Sequence, residues 1–327
     1  MSTLSRREFL TTSTAACGIA MTAASLFADQ PRVPRQVSYI DIHTHLGTFY
    51  FGQELTAEEL VRMMDQHDIE KACVLPLVSP ESSPYPQTSE NALKSAKQFP
   101  DRLIPFCCVD PRCSTMPPLR PGHVVGVKGI RDLLKKYQDA GAKGLGEHKT
   151  GLPFDDPQLM MLYEACSDLY LPILFHLDDI RNPDTPGLPR LENALKAFPK
   201  LPLIGHAAGF WASISGDATL ADFGRYPEIP KPITPGGALD RLMDKYPNLY
   251  SDLSEPGGEK GIARDMKFGR EFLIRRADRL LFGTDFLMPQ QKIPQFELFD
   301  LLNLPAEVQS KIYRGNAIRL LKLDLKA

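Results

Sequence analysis

One tryptophan, six cysteines and a near-balance of charge are scarce materials for several kinds of protein. Cys17, Cys73, Cys107, Cys108, Cys113 and Cys166 lack the C-x-x-C spacing of a zinc ribbon or redox dithiol, and they suggest no disulfide framework. Thirty-eight basic residues against 40 acidic ones leave a formal net charge of −2, and the pI is near 6.4, so nothing electrostatic points to nucleic acid or an anionic membrane. No Gly/Ser linker or long run of like charge divides residues 37–327. What is present suits a large soluble core: of 327 residues, 43% are apolar and 24% charged, which excludes disorder, collagen-like repeats and a membrane bundle. At roughly 150 residues per domain the length suggests two domains, but α/β barrels of this size are commonly single domains.

Residues 1–28 read as an address rather than part of the fold. Arg6 and Arg7 stand side by side in S-R-R-x-F-L with Ser5, Phe9 and Leu10, followed by a mildly apolar Ala/Thr/Ser run and a small residue before Asp29. This is a twin-arginine export signal pattern. A spanning helix would need ~20 strongly apolar residues, and hydroxyl side chains interrupt this run. Lipid anchoring at Cys17 fits less well, because most of the apolar run follows the cysteine. The expected partner is the twin-arginine machinery, which exports folded proteins, and the expected location is the periplasm or cell envelope. Residues 29–36 then form a linker and residues 37–327 one domain. Cys73, Cys107 and Cys108 lie in apolar runs and are expected to act as small buried hydrophobes.

Eight short apolar runs alternate with amphipathic stretches: 37–42, 71–77, 102–109, 142–148, 171–177, 201–207, 248–254 and 279–285. Between them, AEELVRMMDQHD carries Thr56 and Glu59 at capping-box spacing, and GIRDLLKKYQDAG, PQLMMLYEACSDL and ALDRLMDKY have helical periodicity. QFPDRLIPF, AFPKLPLIG and KYPNLYSDL repeat one device, an aromatic-proline pair that stops a helix just before an apolar strand. Eight such units predict an α/β fold, a (β/α)₈ TIM barrel with a parallel sheet. A doubly wound open sheet is the competing architecture. It lacks support because no Gly-rich phosphate turn follows the first strand.

His43, His45, His176 and His206 fall at carboxyl ends of predicted strands, the active face of a parallel barrel. His43 and His45, two apart, project to one side, with Asp41 expected beneath them in the same register. His176 and His206 occupy equivalent places in consecutive units. Asp285 ends the eighth strand, which neighbours the first in a closed barrel. Imidazoles and a carboxylate suit Zn²⁺ or a similar divalent ion, which would lower the pKa of water for a nearby carboxylate to deprotonate.

D-I-H-T-H-L, G-E-H-K, F-H, G-H-A and G-T-D, in that order and followed by G-N-A-I-R-L-L, resemble the amidohydrolase superfamily over about residues 37–322. The likeness is to its amidohydrolase-related branch, which includes the aminocarboxymuconate-semialdehyde decarboxylase-like enzymes. The resemblance implies a metal-dependent barrel with His43, His45, His176 and Asp285 as ligands. His206 would bind a second metal or polarise substrate and water. Glu147, where two-metal relatives carry a bridging group or a carboxylated lysine, is either a metal ligand, as Lys149 could also be, or half of a pair with Lys149 that binds substrate or forms an ion pair at the rim; His148 takes the other face. Asp178 and Asp179 could orient His176 or meet substrate. His67 and His123 are expected at the surface. The segment from Gly209 to Gly237, opened by Phe210 and Trp211, is long enough for a lid or an oligomer contact such as that of a homodimer, with Trp211 beside the pocket.

The leading expectation is hydrolysis of a C–N or C–O bond in a small amide, lactone or ester, with one or two divalent ions and with Asp285 and His206 as the catalytic groups. The alternative is nonoxidative decarboxylation of a small aromatic or enoic acid. GTFYFGQE after His45 has no arginine to hold a carboxylate, which weighs against the alternative, although Arg181 or Lys149 could substitute.

Overall fold

The computed structural model describes residues 33–49, 52–82, 85, 87–114 and 126–325. The expected export signal, residues 29–32 of the expected linker and His123 lie outside the described residues. The eight expected strands are Tyr39–Thr44 (β1), Ile69–Val74 (β2), Leu103–Pro105 (β3), Leu145–His148 (β4), Ile173–His176 (β5), Leu203–His206 (β6), Leu249–Asp252 (β7) and Leu280–Leu281 (β8). Ladders run β1-β2-β3 and β4-β5-β6-β7-β8, all parallel. Two seams complete the ring. Cys107 N–H donates to the Gly144 carbonyl at 2.9 Å, joining β3 to β4. Asp285 N–H donates to the His43 carbonyl and His45 N–H to the Phe286 carbonyl, both at 2.9 Å, joining β8 to β1.

The connecting helices form where the periodicity places them. Thr56 and Glu59 make the reciprocal capping box of Ala57–Gln66, and Gly126–Asp139, Pro157–Leu169 and Ala238–Lys245 are helical. Phe99, Phe198 and Tyr246 are the C-caps ahead of β3, β6 and β7. Their carbonyls accept the N–H groups of Leu103, Leu201 and Leu249, which turns the chain from helix into strand.

Side chains from six strands, among them Ile40, Ile42, Leu174 and Leu281, meet Ala317, Ile318 and Leu321 of the last helix in one apolar cluster. A cluster fed from six strands lies inside the ring, so one end of the barrel is packed shut. A second, larger cluster fills the space between strands and helices.

The β1–β2 register slips between Asp41 and Thr44. This corrects the expectation for Asp41: it does not repeat the facing of His43 and His45. Its carboxylate accepts from the backbone N–H of His43 and from the backbone N–H and hydroxyl of Thr284, fastening β1 to the chain beyond β8. Gly283 lets the end of β7 lie close against this stretch, because a Cβ there would lie 2.3 Å from Asp252 Oδ1. Cys73, Cys107 and Cys108 are buried, and burial pushes the Cys107 thiol up to about 12, which suits a packing role.

Candidate metal centre and active site

The mouth of the barrel gathers groups from β1, β4, β6, β7 and β8. His43 Nε2 and His45 Nε2 face each other at 3.0 Å. Their outer nitrogens are already committed. His43 Nδ1 lies 2.7 Å from Asp252 Oδ2, and His45 Nδ1 lies 2.8 Å from the Leu75 carbonyl. Both partners can only accept, so both Nδ1 atoms carry hydrogen and the two neutral rings present lone pairs to one another. That arrangement is repulsive unless a cation or a proton lies between them.

His206 follows the same rule. Ser254 Oγ donates to Asp252 Oδ2 at 2.7 Å and therefore accepts from His206 Nδ1 at 3.0 Å, leaving Nε2 for the site. Asp285 Oδ1 lies 3.4 Å from His43 Nε2 and 3.3 Å from His45 Nε2. His206 Nε2 and Asp285 Oδ1 are buried and accept no hydrogen bond among the described residues.

Three overlapping groups have mutually close donor atoms: His43/His45/Asp285, His43/Glu147/His206 and His206/Glu255/Asp285. Imidazole nitrogen and carboxylate oxygen suit a divalent ion of the zinc or manganese type. The charge balance agrees. Glu147, Asp252, Glu255 and Asp285 supply four carboxylates against the ammonium of Lys149. Burial opposes charge on His43, but Asp285, Asp252 and Glu147 outweigh it and hold its pKa well above the usual imidazole value. The field that draws a proton to His43 would equally draw a metal cation.

Glu147 is the hub of the site. Lys149 Nζ lies 2.7 Å from its Oε2, His45 Nε2 lies 3.3 Å from the same oxygen, and His176 Nδ1 lies 2.8 Å from Oε1. Gly146, at φ +151, permits its approach; a Cβ there would lie 2.7 Å from the Leu174 carbonyl. His176 pairs with His206 across β5 and β6 as expected, but its other nitrogen faces Asp178 Oδ2 at 2.9 Å. It belongs to none of the three donor groups found among the described residues. Arg181 Nη1 binds the same Asp178 oxygen at 2.7 Å, and a Glu147–His176–Asp178–Arg181 chain runs outward.

Trp211 is placed away from the opening. It is 1% exposed, packed on Phe210 and Phe272, and its indole N–H donates to the Asp252 carbonyl at 3.0 Å. His148 turns to the other face, buried, with a pKa lowered by burial to about 4. His67 is half-buried and stacked on Phe296 at 4.4 Å.

Sequence reasoning missed Asp252, Ser254 and Glu255. Asp252 ends β7 and the other two follow it, a strand end whose D-L-S-E run was the available signal. Glu255, Ala207 and Asp285 have left-handed backbones, at φ 59, 83 and 51, so local strain collects where the chain leaves β7, β6 and β8. Tyr226, from the long segment after β6, reaches back to hydrogen-bond Glu255. Beside Glu255 and Asp285 opens a cavity of about 330 Å³, walled by Phe49, Leu287, Met288 and Pro294.

The family model for amidohydrolases matches residues 40–323. The chain belongs to the amidohydrolase family. Its barrel and divalent-metal chemistry are those of an enzyme family. No curated protein matches this sequence. Among solved structures, this amidohydrolase is similar to an uncharacterised TIM-barrel protein of Bordetella bronchiseptica, with 18% identity and TM-score 0.58, covering 88% of this chain and 99% of the other. It is also similar to a candidate 2-pyrone-4,6-dicarboxylic acid hydrolase of Pseudomonas putida, with 14% identity and TM-score 0.61, covering 89% and 100%. A third is the 5-carboxyvanillate decarboxylase of Novosphingobium aromaticivorans, complexed with manganese and 4-hydroxy-3-methoxy-5-nitrobenzoic acid, with 14% identity and TM-score 0.55, covering 88% and 96%. At these identities the likeness concerns the barrel fold.

Proposed function

We propose that this amidohydrolase hydrolyses a C–N or C–O bond of a small amide, lactone or ester, using a divalent ion, zinc in the first instance. The observation that carries the reading is the pair of Nε2 lone pairs on His43 and His45 at 3.0 Å, beside the unpartnered Asp285 Oδ1. His43, His45 and Asp285 would hold the ion, and Glu147 and His206 are the residues that would contribute to a second; His176, a ligand by family resemblance, stands one carboxylate away at Glu147. When bound, such an ion supplies Lewis acidity that polarises a carbonyl and lowers the pKa of water.

The protein's own groups do the rest. Asp285 accepts the proton of the attacking water on its second carboxylate oxygen, the one turned away from the His43 and His45 nitrogens, and returns it to the leaving group. His206 Nε2, its ring fixed by Ser254 with the hydrogen on Nδ1, accepts a hydrogen bond from the water and orients it. Lys149 and Arg181 face the substrate only as members of ion pairs with Glu147 and Asp178. The arginine pair near the amino terminus would direct the folded, metal-loaded enzyme to the twin-arginine machinery and the periplasm.

Decarboxylation of a small acid is the second reading. It is favoured by the apolar cavity beside Asp285 and by the decarboxylase among the similar structures. The experiment scores label incorporation from isotopic water against CO₂ release over ester, lactone, amide and aromatic-acid panels. Asp285→Asn should lose turnover by on the order of 10²-fold or more while keeping part of the metal. CO₂ release without incorporation of label, or wild-type turnover by Asp285→Asn, rejects the hydrolytic scheme.

A further inference from the structure

The group His206/Glu255/Asp285 differs from the other two donor groups in how little of it is used. His206 Nε2, Glu255 Oε2 and Asp285 Oδ1 are all buried and accept no hydrogen bond among the described residues. His206 Nε2 and Glu255 Oε2 lie 3.6 Å apart, and each of the three residues brings a donor atom within 4.8 Å of the other two. Acceptors this close repel one another unless a proton or a cation lies between them. Two donors about 2.1 Å from one ion at a tetrahedral angle stand about 3.4 Å apart, so the spacing suits an ion held between them. Glu255 and Asp285 line the cavity, which gives such an ion a way in.

Glu147, in the competing group, already has Lys149 Nζ at 2.7 Å from Oε2 and His176 Nδ1 at 2.8 Å from Oε1. Glu255 has no such cation; its one ion-pair contact among the described residues is His206. What holds Glu255 in place is Tyr226. The phenol donates to Glu255 Oε1, since a carboxylate oxygen only accepts, and Oε2 is left to face His206. Tyr226 lies on the chain that leaves β6, the strand that ends in His206, so one connection carries a ligand and clamps another.

We propose that His206, Glu255 and Asp285 form a weaker, inhibitory site for a divalent cation, with Tyr226 as the positioning residue of Glu255. The proposal rests on the hydrolytic reading, in which His206 Nε2 orients the water and the second oxygen of Asp285 takes its proton. An ion bound to this group takes the His206 lone pair and draws on the Asp285 carboxylate, so the water loses both acceptors. His206 has one free nitrogen, so the site also competes with any ion shared by His206 and Glu147. It is the weaker site because the ion at His43 and His45 repels a second one nearby.

The test titrates zinc alone into the chelator-stripped full chain, counts bound metal by equilibrium dialysis with elemental analysis, and follows hydrolysis over the same zinc range. A second ion should bind about 100-fold or more weaker than the first, as two divalent charges about 5 Å apart in water dictate. Turnover should fall by about 100-fold as that ion saturates, the usual worth of a general base. Glu255→Gln should weaken the second ion by about 100-fold, the first by less than about tenfold, and shift the inhibiting zinc concentration in proportion to the second. Tyr226→Phe keeps the ring and should weaken the second ion by about three- to tenfold with the first unchanged.

A merely structural role for Glu255 or Tyr226 would weaken both ions together. The wild-type titration stands even if a variant folds poorly. One ion per chain up to millimolar zinc, a second ion lost in Glu147→Gln but kept in Glu255→Gln, or turnover that holds or rises as the second ion binds overturns the proposal. Loss of the second ion in Glu255→Gln, from a protein that releases CO₂ without incorporating label from water, would instead reject hydrolysis and leave the cation site standing.

Discussion

Replacing Asp252 with asparagine removes a charge from the floor of the site while preserving its shape, and the consequence can be worked atom by atom. Oδ2 accepts from His43 Nδ1 at 2.7 Å and from the Ser254 hydroxyl at 2.7 Å, and Oδ1 accepts from the Ser254 backbone N–H at 2.9 Å. An asparagine amide has one acceptor end. In either orientation its NH₂ opposes an N–H, that of His43 or that of Ser254. With the NH₂ against His43, the ring escapes by moving its hydrogen to Nε2, the nitrogen that faces His45 and Asp285. The variant therefore loses a charge-assisted hydrogen bond, worth about 1.5–3 kcal/mol, and in this orientation a ligand lone pair as well. Divalent-metal affinity should fall by about 10- to 100-fold, the range expected for the outer partner of a metal-binding histidine.

The assay is competition against a chromophoric chelator, with zinc and manganese titrated separately into chelator-stripped protein. Circular dichroism establishes that the variant is folded. Ser254→Ala is the graded companion, since it leaves His206 Nδ1 only the 3.2 Å contact with Asp252 Oδ2 and should cost less than tenfold. A folded Asp252→Asn variant that binds both metals within twofold of wild type would refute the claim that Asp252 sets the His43 tautomer.

Metal affinity should also strengthen as pH rises. The raised pKa of His43 means the metal-free site carries a proton at neutral pH that an incoming cation must displace, so Kd should increase about tenfold per unit fall in pH while one proton is released; a Kd constant between about pH 6 and 8 would contradict this. Glu259, on the helix that starts at Glu255, is half-buried: burial raises its pKa, Lys260 lowers it and Glu297 raises it, to about 7. The folded chain thus favours the neutral acid, a contribution complete below the unfolded pKa near 4.5 and lost as pH rises through about 7. Glu259→Gln should be nearly neutral at pH 5 and, discounted for partial exposure, stabilising by about 1 kcal/mol at pH 8. Thermal melts at the two pH values should show a gain of about 2 °C at the higher one only.

The legible part of this protein was its repeat. Strands buried on both faces read as continuous apolar runs, and the Phe/Tyr-Pro ends of three helices mark where strands begin, so eight units and their order could be read locally. The histidines were legible because they are few and stand at strand ends. Local reading failed wherever three-dimensional position decided the role. The slip after Asp41 is a backbone irregularity with no residue signature, and it turned a presumed neighbour of the histidines into the fastener of Thr284. Trp211 follows Ala207, whose φ of 83 redirects the chain, so a side chain expected at the pocket is spent on the core and on the Asp252 carbonyl.

Asp252 is the instructive miss, because its sequence setting matches that of Asp285: an acid where an apolar strand runs out. A closed parallel ring turns strand number into angular position, so β7 stands between β6 and β8 and its terminal acid must lie between His206 and Asp285. The reasoning that placed Asp285 beside His43 across 242 positions of sequence, applied to β7, places Asp252 beneath the same histidines. There it fixes the ring hydrogens on which every proposed metal contact of His43 depends.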